Sequence, residues 1–346
     1  MLTKIKESFL KDFYRKPRYL ILFVTSKCNL FCKHCFVKNE LFSKSPDLTL
    51  QQISNISQQL GRLSEVDLSG GEPFLREDIF EIYKLFVLNN RINIFSIPTN
   101  GTLTEQIVSN VRKILEYGRI KHVSIILSID GPRIIHDKMR GSRCFDKVIE
   151  TYERIAPLKK SYPCLGIRVN TVLTRHNYDS LQLLHSELIR RMPLLDFHDF
   201  EILRGCGHHE SLFLGLEELK EIKPTLFKIW RDYSHSRSTV DRRIAFKARV
   251  ILYEAYMKIL ETRTQPFPCL AGRFHCVVDY KGDVSFCELR PKIGNLGEES
   301  FYNIWNSKDA NNQRDDIRKR ECFCTHSCFQ MTNLTYNQSF WPRLFL

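Results

Sequence analysis

The chain has 346 residues, 43% of them apolar, enough to bury the core of one large domain plus a smaller one, which excludes a disordered chain. Lys and Arg number 52 against 39 Asp and Glu, yet no block of five or more basic residues occurs. The net charge of +13 therefore reads as a solvated basic surface rather than a nucleic-acid-binding tract. Of 12 cysteines, three lie between positions 28 and 35 and six between 269 and 328, the pattern of metal binding or chemistry in a reducing compartment rather than of disulfides.

Within the N-terminal segment 1–18, Leu2, Ile5, Phe9 and Phe13 recur at helical spacing, with five Lys or Arg among the first sixteen residues. Such a basic amphipathic segment either lies on a membrane surface or caps the following domain, and packing against the protein is the commoner fate. No apolar run is long enough for a signal peptide or a membrane span, so a cytoplasmic protein is expected.

From Tyr19 to Leu203, short strand-like runs alternate with amphipathic helical stretches, the pattern of βα units around a parallel sheet. The strands read as YLILFVT, SEVDLS, NIFSIPTN, HVSIILSID, LGIRVNTVL and FHDFEIL, each apolar enough to be buried on both faces. Ile107, Val108, Val111, Ile114 and Leu115, and then Phe145, Val148, Ile149, Tyr152 and Ile155, are core stripes of helices. The expected fold class is α/β, a partial (β/α)6 TIM-like barrel over residues 19–205, followed by a helical connector at 206–265 with Pro224 inside its first helix. Residues 266–346 read as a small, metal-stapled, cysteine-rich domain whose pieces HCVVDY and DVSFCEL form a hairpin at Lys281-Gly282. Its terminal FWPRLFL is apolar enough to pack back on the protein.

In parallel barrels the functional residues follow the strand ends, and here the strands run into TSKCNLFCKHC, SGGEP, PTNG and SIDGP. Cys28, Cys32 and Cys35, spaced C-x3-C-x2-C, can curl three thiolates around one iron–sulfur cube and leave one iron open. A structural zinc site would want a fourth ligand, for which His34 is the nearest choice. Cys144, Cys164 and Cys206 stand apart as buried or surface thiols.

From Tyr19 to Cys328 these motifs resemble the radical S-adenosylmethionine superfamily. The resemblance implies a [4Fe-4S] cluster on Cys28, Cys32 and Cys35 whose open iron takes S-adenosylmethionine. Reduction then yields a 5′-deoxyadenosyl radical that abstracts a substrate hydrogen. It also implies that Gly70, Gly71, Glu72 and Pro73 hold the methionyl amino group, and that Asn100, Ser128 and Asp130 face the ribose and methionyl parts. Arg140 would approach the cofactor carboxylate, and Leu203 would flank adenine. An electron donor such as flavodoxin or ferredoxin is implied as a partner.

The C-terminal cysteines resemble the SPASM and twitch extensions, which carry auxiliary iron–sulfur clusters, but with one cysteine fewer than a full SPASM pattern. At least one auxiliary [4Fe-4S] cluster is implied, with Cys269, Cys287, Cys324 and Cys328 as ligands and Cys276 or Cys322 able to replace one of them. A four-cysteine zinc ribbon is the alternative. Glu288, after Cys287, matches a base near the substrate in relatives, and Arg204 and His208 are within reach of the same cavity. The expected activity is a radical oxidation or cross-linking of a peptide or small molecule, and small molecules stay open because only about eighteen residues precede the first strand. The rival from another class is a non-catalytic zinc-binding nucleic-acid module, whose affinity would fall steeply with salt.

Overall fold

The computed structural model describes residues 16–38, 41, 43–204, 210–235 and 240–337. Residues 1–15, the terminal FWPRLFL, Cys206 and His208 lie outside the described residues. Six parallel strands follow the six expected segments: β1 (Tyr19–Phe23), β2 (Glu65–Ser69), β3 (Ile94–Thr99), β4 (His122–Ser128), β5 (Leu165–Leu173) and β6 (Phe197–Ile202). They pair in sequence order, with β6 at one free edge, so the barrel is partial rather than closed.

Helices α1 (Leu50–Leu60), α2 (Ile79–Asn90), α3 (Thr104–Tyr117), α4 (Arg133–Arg140), α5 (Phe145–Ile155) and α6 (Leu181–Arg191) lie between successive strands. Local chemistry sets their ends. At α1 the Thr49 hydroxyl accepts from the Gln52 N–H (3.2 Å) while the Gln52 side chain accepts from the Thr49 N–H (2.9 Å), a reciprocal capping box. The apolar stripes of α3 and α5 are the buried ones, as their periodicity predicts. Helices α7 (Leu216–His235) and α8 (Val240–Thr262) pack on each other and on β6, where the Trp230 indole donates to the His198 carbonyl (3.1 Å).

Two features differ from the sequence expectation. The strands are not apolar on both faces: Glu65, Asp67, Arg168, Asn170, Asp199 and Glu201 occupy inward positions, and Val66, Leu68 and Val169 alternate with them. The barrel interior is a cavity that charged side chains share with apolar ones rather than a packed core, so inward side chains need not be apolar. The cysteine-rich segment also enters the barrel's own sheet. β7 (His275–Val278) pairs parallel to β1, and β8 (Asp283–Ser285) and β9 (Gly294–Asn295) continue antiparallel beyond it. Helices α9 (Phe301–Trp305), α10 (Lys308–Lys319) and α11 (Ser327–Thr335) complete this segment. No helix among the described residues is long and apolar enough to cross a membrane.

Candidate functional site

The cysteine loop leaves β1 and is held by backbone bonds to the end of β2. The Gly71 N–H donates to the Thr25 carbonyl and the Glu72 N–H to the Lys27 carbonyl, both at 2.8 Å. This contact explains the two glycines. A Cβ on Gly70, whose φ is 133°, would sit 2.4 Å from the Thr25 oxygen, and one on Gly71 would sit 2.0 Å from the Lys27 oxygen. Asp47 fixes the loop's start by accepting from the Thr25 hydroxyl (2.6 Å) and the Ser26 N–H (2.9 Å).

Cys32 is buried, and Cys28 and Cys35 are half-buried beside it in one small cluster. Burial pushes the Cys35 thiol up to about 11, with the charges of Cys32 and Cys28 adding. Burial also raises Cys28. A cation that replaces these protons removes that cost, so three soft donors on one loop fit an iron–sulfur cluster. Of the two His34 ring nitrogens, Nε2 is taken by Asp130 (3.3 Å). Cys144 packs against Cys32. His136, Asp137 and Cys144 group like metal ligands, but their atoms are spent. His136 Nδ1 accepts from the Asp130 N–H, leaving Nε2 to face the Cys144 sulfur, and Asp137 accepts from the Cys144 and Phe145 N–H groups.

Arg140 stands between this loop and the cavity. Its Nη1 reaches the Cys32 sulfur (3.6 Å) and its Nε donates to Asp130 Oδ2 (2.6 Å). Asp130, expected among the cofactor contacts, does not line the cavity. It lies fully buried behind Arg140, where its other oxygen accepts from the Val172 N–H (3.2 Å). Burial alone would raise its pKa, but Arg140 and His34 hold it at about 2. Asp130→Ala strands a buried guanidinium and is expected to cost about 3–5 kcal/mol, read from the denaturation midpoint. A loss below about 1 kcal/mol would contradict the pairing.

Glu72 accepts from the Phe74 N–H and the Thr99 hydroxyl on one oxygen (3.2 and 2.7 Å) and from the Asn100 N–H on the other (2.7 Å). Burial still pushes it up to about 7. The Asn100 amide donates to Asn29 Oδ1 (2.8 Å) and its oxygen accepts from Thr102, tying the β3 end to the cysteine loop. Gly70, Gly71, Glu72 and Pro73, together with Asn100, Ser128, Arg140 and Leu203, line one cavity of about 410 Å³ with the three cysteines.

The opposite wall comes from the C-terminal segment. Glu288 shares one carboxylate oxygen with His326 Nε2 and, at 3.9 Å, with Arg204 Nη2. Burial opposes its charge, but His326 and Arg204 hold it ionised at about 2. Arg204 also pairs with Glu201 (2.9 Å), which accepts from the Ser327 hydroxyl (2.8 Å). Deeper in, Arg168 and Arg249 pair with Asp199 at 3.1 and 2.5 Å. Tyr19 donates to Asp67. Burial and the Asp67 charge raise the Glu65 carboxyl, while burial, with the Glu288 charge adding, raises Asp67 against the hydrogen bonds from Tyr19 and Ser96.

Because Glu65 keeps its proton in the folded state above its ordinary value of 4.5, the unfolded chain ionises first and stability falls as pH rises through and above that range. Glu65→Gln is expected to melt higher than the parent at pH 8, by on the order of 2 kcal/mol, with the gain fading toward pH 4. Equal melting at both pH values would contradict it.

Among the C-terminal thiols, Cys269 feels the charges of Cys324 and Cys322, Cys287 those of Cys324 and Cys269, and Cys324 that of Cys322. Burial pushes Cys269 and Cys287 up to about 12. These four thiols feel one another's charge, and four thiols complete one cluster. Cys322, the expected alternative, lies within electrostatic reach of Cys269 and Cys324, and Cys328 lines the barrel cavity, where Glu201, Asp67, Arg204 and Glu288 act on it. Cys276, expected as a replacement ligand, is fully buried on β7 opposite Leu20, its sulfur facing the Val277 carbonyl.

His326, Ser327, Glu201 and Asp67 are the residues that sequence reasoning does not reach. A charge at every second strand position, as in EVD and HDFE, is the one signal that points to the inner wall.

A family model described as the Radical SAM superfamily matches residues 22–186, and one described as an iron–sulfur cluster-binding domain, SPASM, matches residues 269–329. An AdoMet-dependent heme synthase of Methanosarcina barkeri is 26% identical over 319 residues, covering 85% of this chain and 83% of that protein. Mycofactocin maturase MftC of Mycolicibacterium smegmatis is 25% identical over 297 residues, covering 82% and 68%. Streptococcus suis SuiB bound to S-adenosylmethionine shares the fold with a TM-score of 0.63 at 18% identity, covering 89% of this chain and 70% of that one.

Proposed function

Because the chain belongs to the radical SAM superfamily and carries a SPASM domain, we propose that it is a maturase that abstracts hydrogen from a peptide or small molecule held in the barrel cavity. The single observation that carries this reading is the placement of Cys28, Cys32 and Cys35 on the wall of the 410 Å³ cavity that Glu288 and Cys328 also line. Bound there, the cluster and S-adenosylmethionine supply a 5′-deoxyadenosyl radical by reductive cleavage of the sulfonium.

The chain's own residues do the rest. Arg140, fixed by Asp130, offers a guanidinium to the cofactor carboxylate. Glu72 and Asn100 brace the strand ends on which the methionyl and ribose groups would rest, Ser128 presents a hydroxyl, and Leu203 an apolar face for adenine. Cys269, Cys287, Cys322 and Cys324 would hold the auxiliary cluster. Glu288, kept as a carboxylate by His326 and Arg204, takes a substrate proton. With Glu288 taking the proton and the auxiliary cluster the electron left on the substrate radical, the net reaction would be an oxidation or cross-link.

SuiB has been crystallised with its precursor peptide SuiA, and MftC is a maturase by name, which supports a peptide substrate. The heme synthase relative supports a small molecule. Anaerobic reconstitution with iron and sulfide, followed by dithionite and S-adenosylmethionine, is expected to release 5′-deoxyadenosine. Its absence would refute the reading.

A further inference from the structure

We propose that the face formed by the loop of residues 27–35 and helix α4, directly over Cys32, is the docking surface for an acidic one-electron carrier protein of the flavodoxin or ferredoxin kind. The proposal rests on reading Cys28, Cys32 and Cys35 as the ligands of a reducible cluster. One electron passes from the reduced carrier to the oxidised cluster, and the carrier leaves one electron poorer.

Two large apolar side chains stand out on this face. Ile134 is 81% exposed, the highest value for a large apolar residue among the described residues, and Phe31, beside Cys32 in the loop, is 67% exposed. They belong to one surface. Ile134, Lys138 and Gly141 follow one another at helical spacing along a single face of α4. Gly141 abuts the loop so closely that a Cβ there would lie 3.1 Å from the Phe31 carbonyl, and the Lys33 N–H donates to the Met139 carbonyl (2.9 Å). Just beneath, Cys32 is only 8% exposed.

The charge around this apolar pair is one-sided. Lys27, Lys33, Lys138, Arg143 and Lys147 are exposed. The loop itself carries no acidic residue between positions 26 and 38. The two acids of the neighbouring stretch are already engaged, Asp137 by the Cys144 and Phe145 N–H groups and Asp146 by Arg133 and Arg191. A protein that delivers electrons must approach the cluster closely yet leave quickly. A small apolar contact ringed by steering charge has that character, and the ring selects an acidic partner. The barrel cavity on the other side of the cysteines is the place for cofactor and substrate, which leaves this outer face for the donor.

The test uses reconstituted holoenzyme and a purified acidic flavodoxin, with affinity read by calorimetry and the footprint by amide hydrogen exchange. Protection over residues 27–35 and 133–147 is expected, with affinity falling about ten-fold or more between low and high salt. Lys138→Glu with Arg143→Glu, and separately Ile134→Asp, are expected to weaken binding by a similar factor, whereas Lys308→Glu on α10 leaves it unchanged. Affinity insensitive to those substitutions, or protection elsewhere, overturns the proposal. Binding to vesicles rich in phosphatidylserine without binding to flavodoxin also overturns it and assigns the face to a membrane. Wild-type release of 5′-deoxyadenosine with dithionite is scored separately. If it occurs while flavodoxin binding fails, the docking surface falls alone.

Discussion

Cys322→Ala is expected to strip one whole cluster from the reconstituted protein, taking iron from about eight to about four atoms per chain. Cys328→Ala and Cys276→Ala are expected to keep the full complement. The contrast follows from where the thiols point. Cys322, Cys324, Cys269 and Cys287 lie within electrostatic reach of one another, whereas Cys328 answers to the carboxylates and guanidinium of the cavity and Cys276 to burial alone. Iron and sulfide analysis of the three variants decides it. Loss of about four iron atoms from Cys328→Ala with none from Cys322→Ala would restore the ligand set expected from the sequence and refute the geometric one.

The second large effect falls on Glu288. Glu288→Gln removes the proton acceptor but keeps the shape of the side chain, so product formation should drop by about 10²–10⁴-fold. Release of 5′-deoxyadenosine from bound substrate should continue, which uncouples hydrogen abstraction from product. The pH profile adds a sign. The carboxyl sits at about 2 in the folded protein because His326 and Arg204 outweigh its burial, so Glu288 is ionised throughout the neutral range and should give the rate no acidic limb above about pH 4. An acidic limb near pH 6 that vanishes in Glu288→Gln, or a variant with unchanged product yield, would contradict the role.

Much of this was legible because it is local. The six strand segments and the stripes of α3 and α5 depend on residues a few positions apart, and the structure places them as their patterns predict. The cysteine loop, the paired glycines and Arg140 are equally local signatures at strand ends, and one cavity gathers them.

What could not be read depends on contacts between distant segments. Nothing near His275 announces that β7 pairs with β1, about 250 residues away. Cys322 and Cys328 differ in surroundings because α11 begins between them, and Cys328 lines the barrel cavity. Asp130 looks like any other rim carboxylate in the string SIDGP, and only the fold shows that Arg140 and His34 cover it. His326 gains its meaning from Glu288, 38 residues earlier in the chain. The polar inner wall was hidden for a different reason. Alternating charges in short strands were outweighed by the β-branched and aromatic residues between them, which look the same in a strand buried on both faces.

The central claim is that Cys28, Cys32 and Cys35 hold a cluster that acts on S-adenosylmethionine while a separate thiol group holds another. The most direct test is the variant with all three changed to alanine, reconstituted anaerobically beside the wild type and analysed for iron and for 5′-deoxyadenosine. The account predicts about eight iron atoms and 5′-deoxyadenosine for the wild type, and about four iron atoms and none of the nucleoside for the variant. Zinc in place of iron, or 5′-deoxyadenosine from the variant, would contradict it.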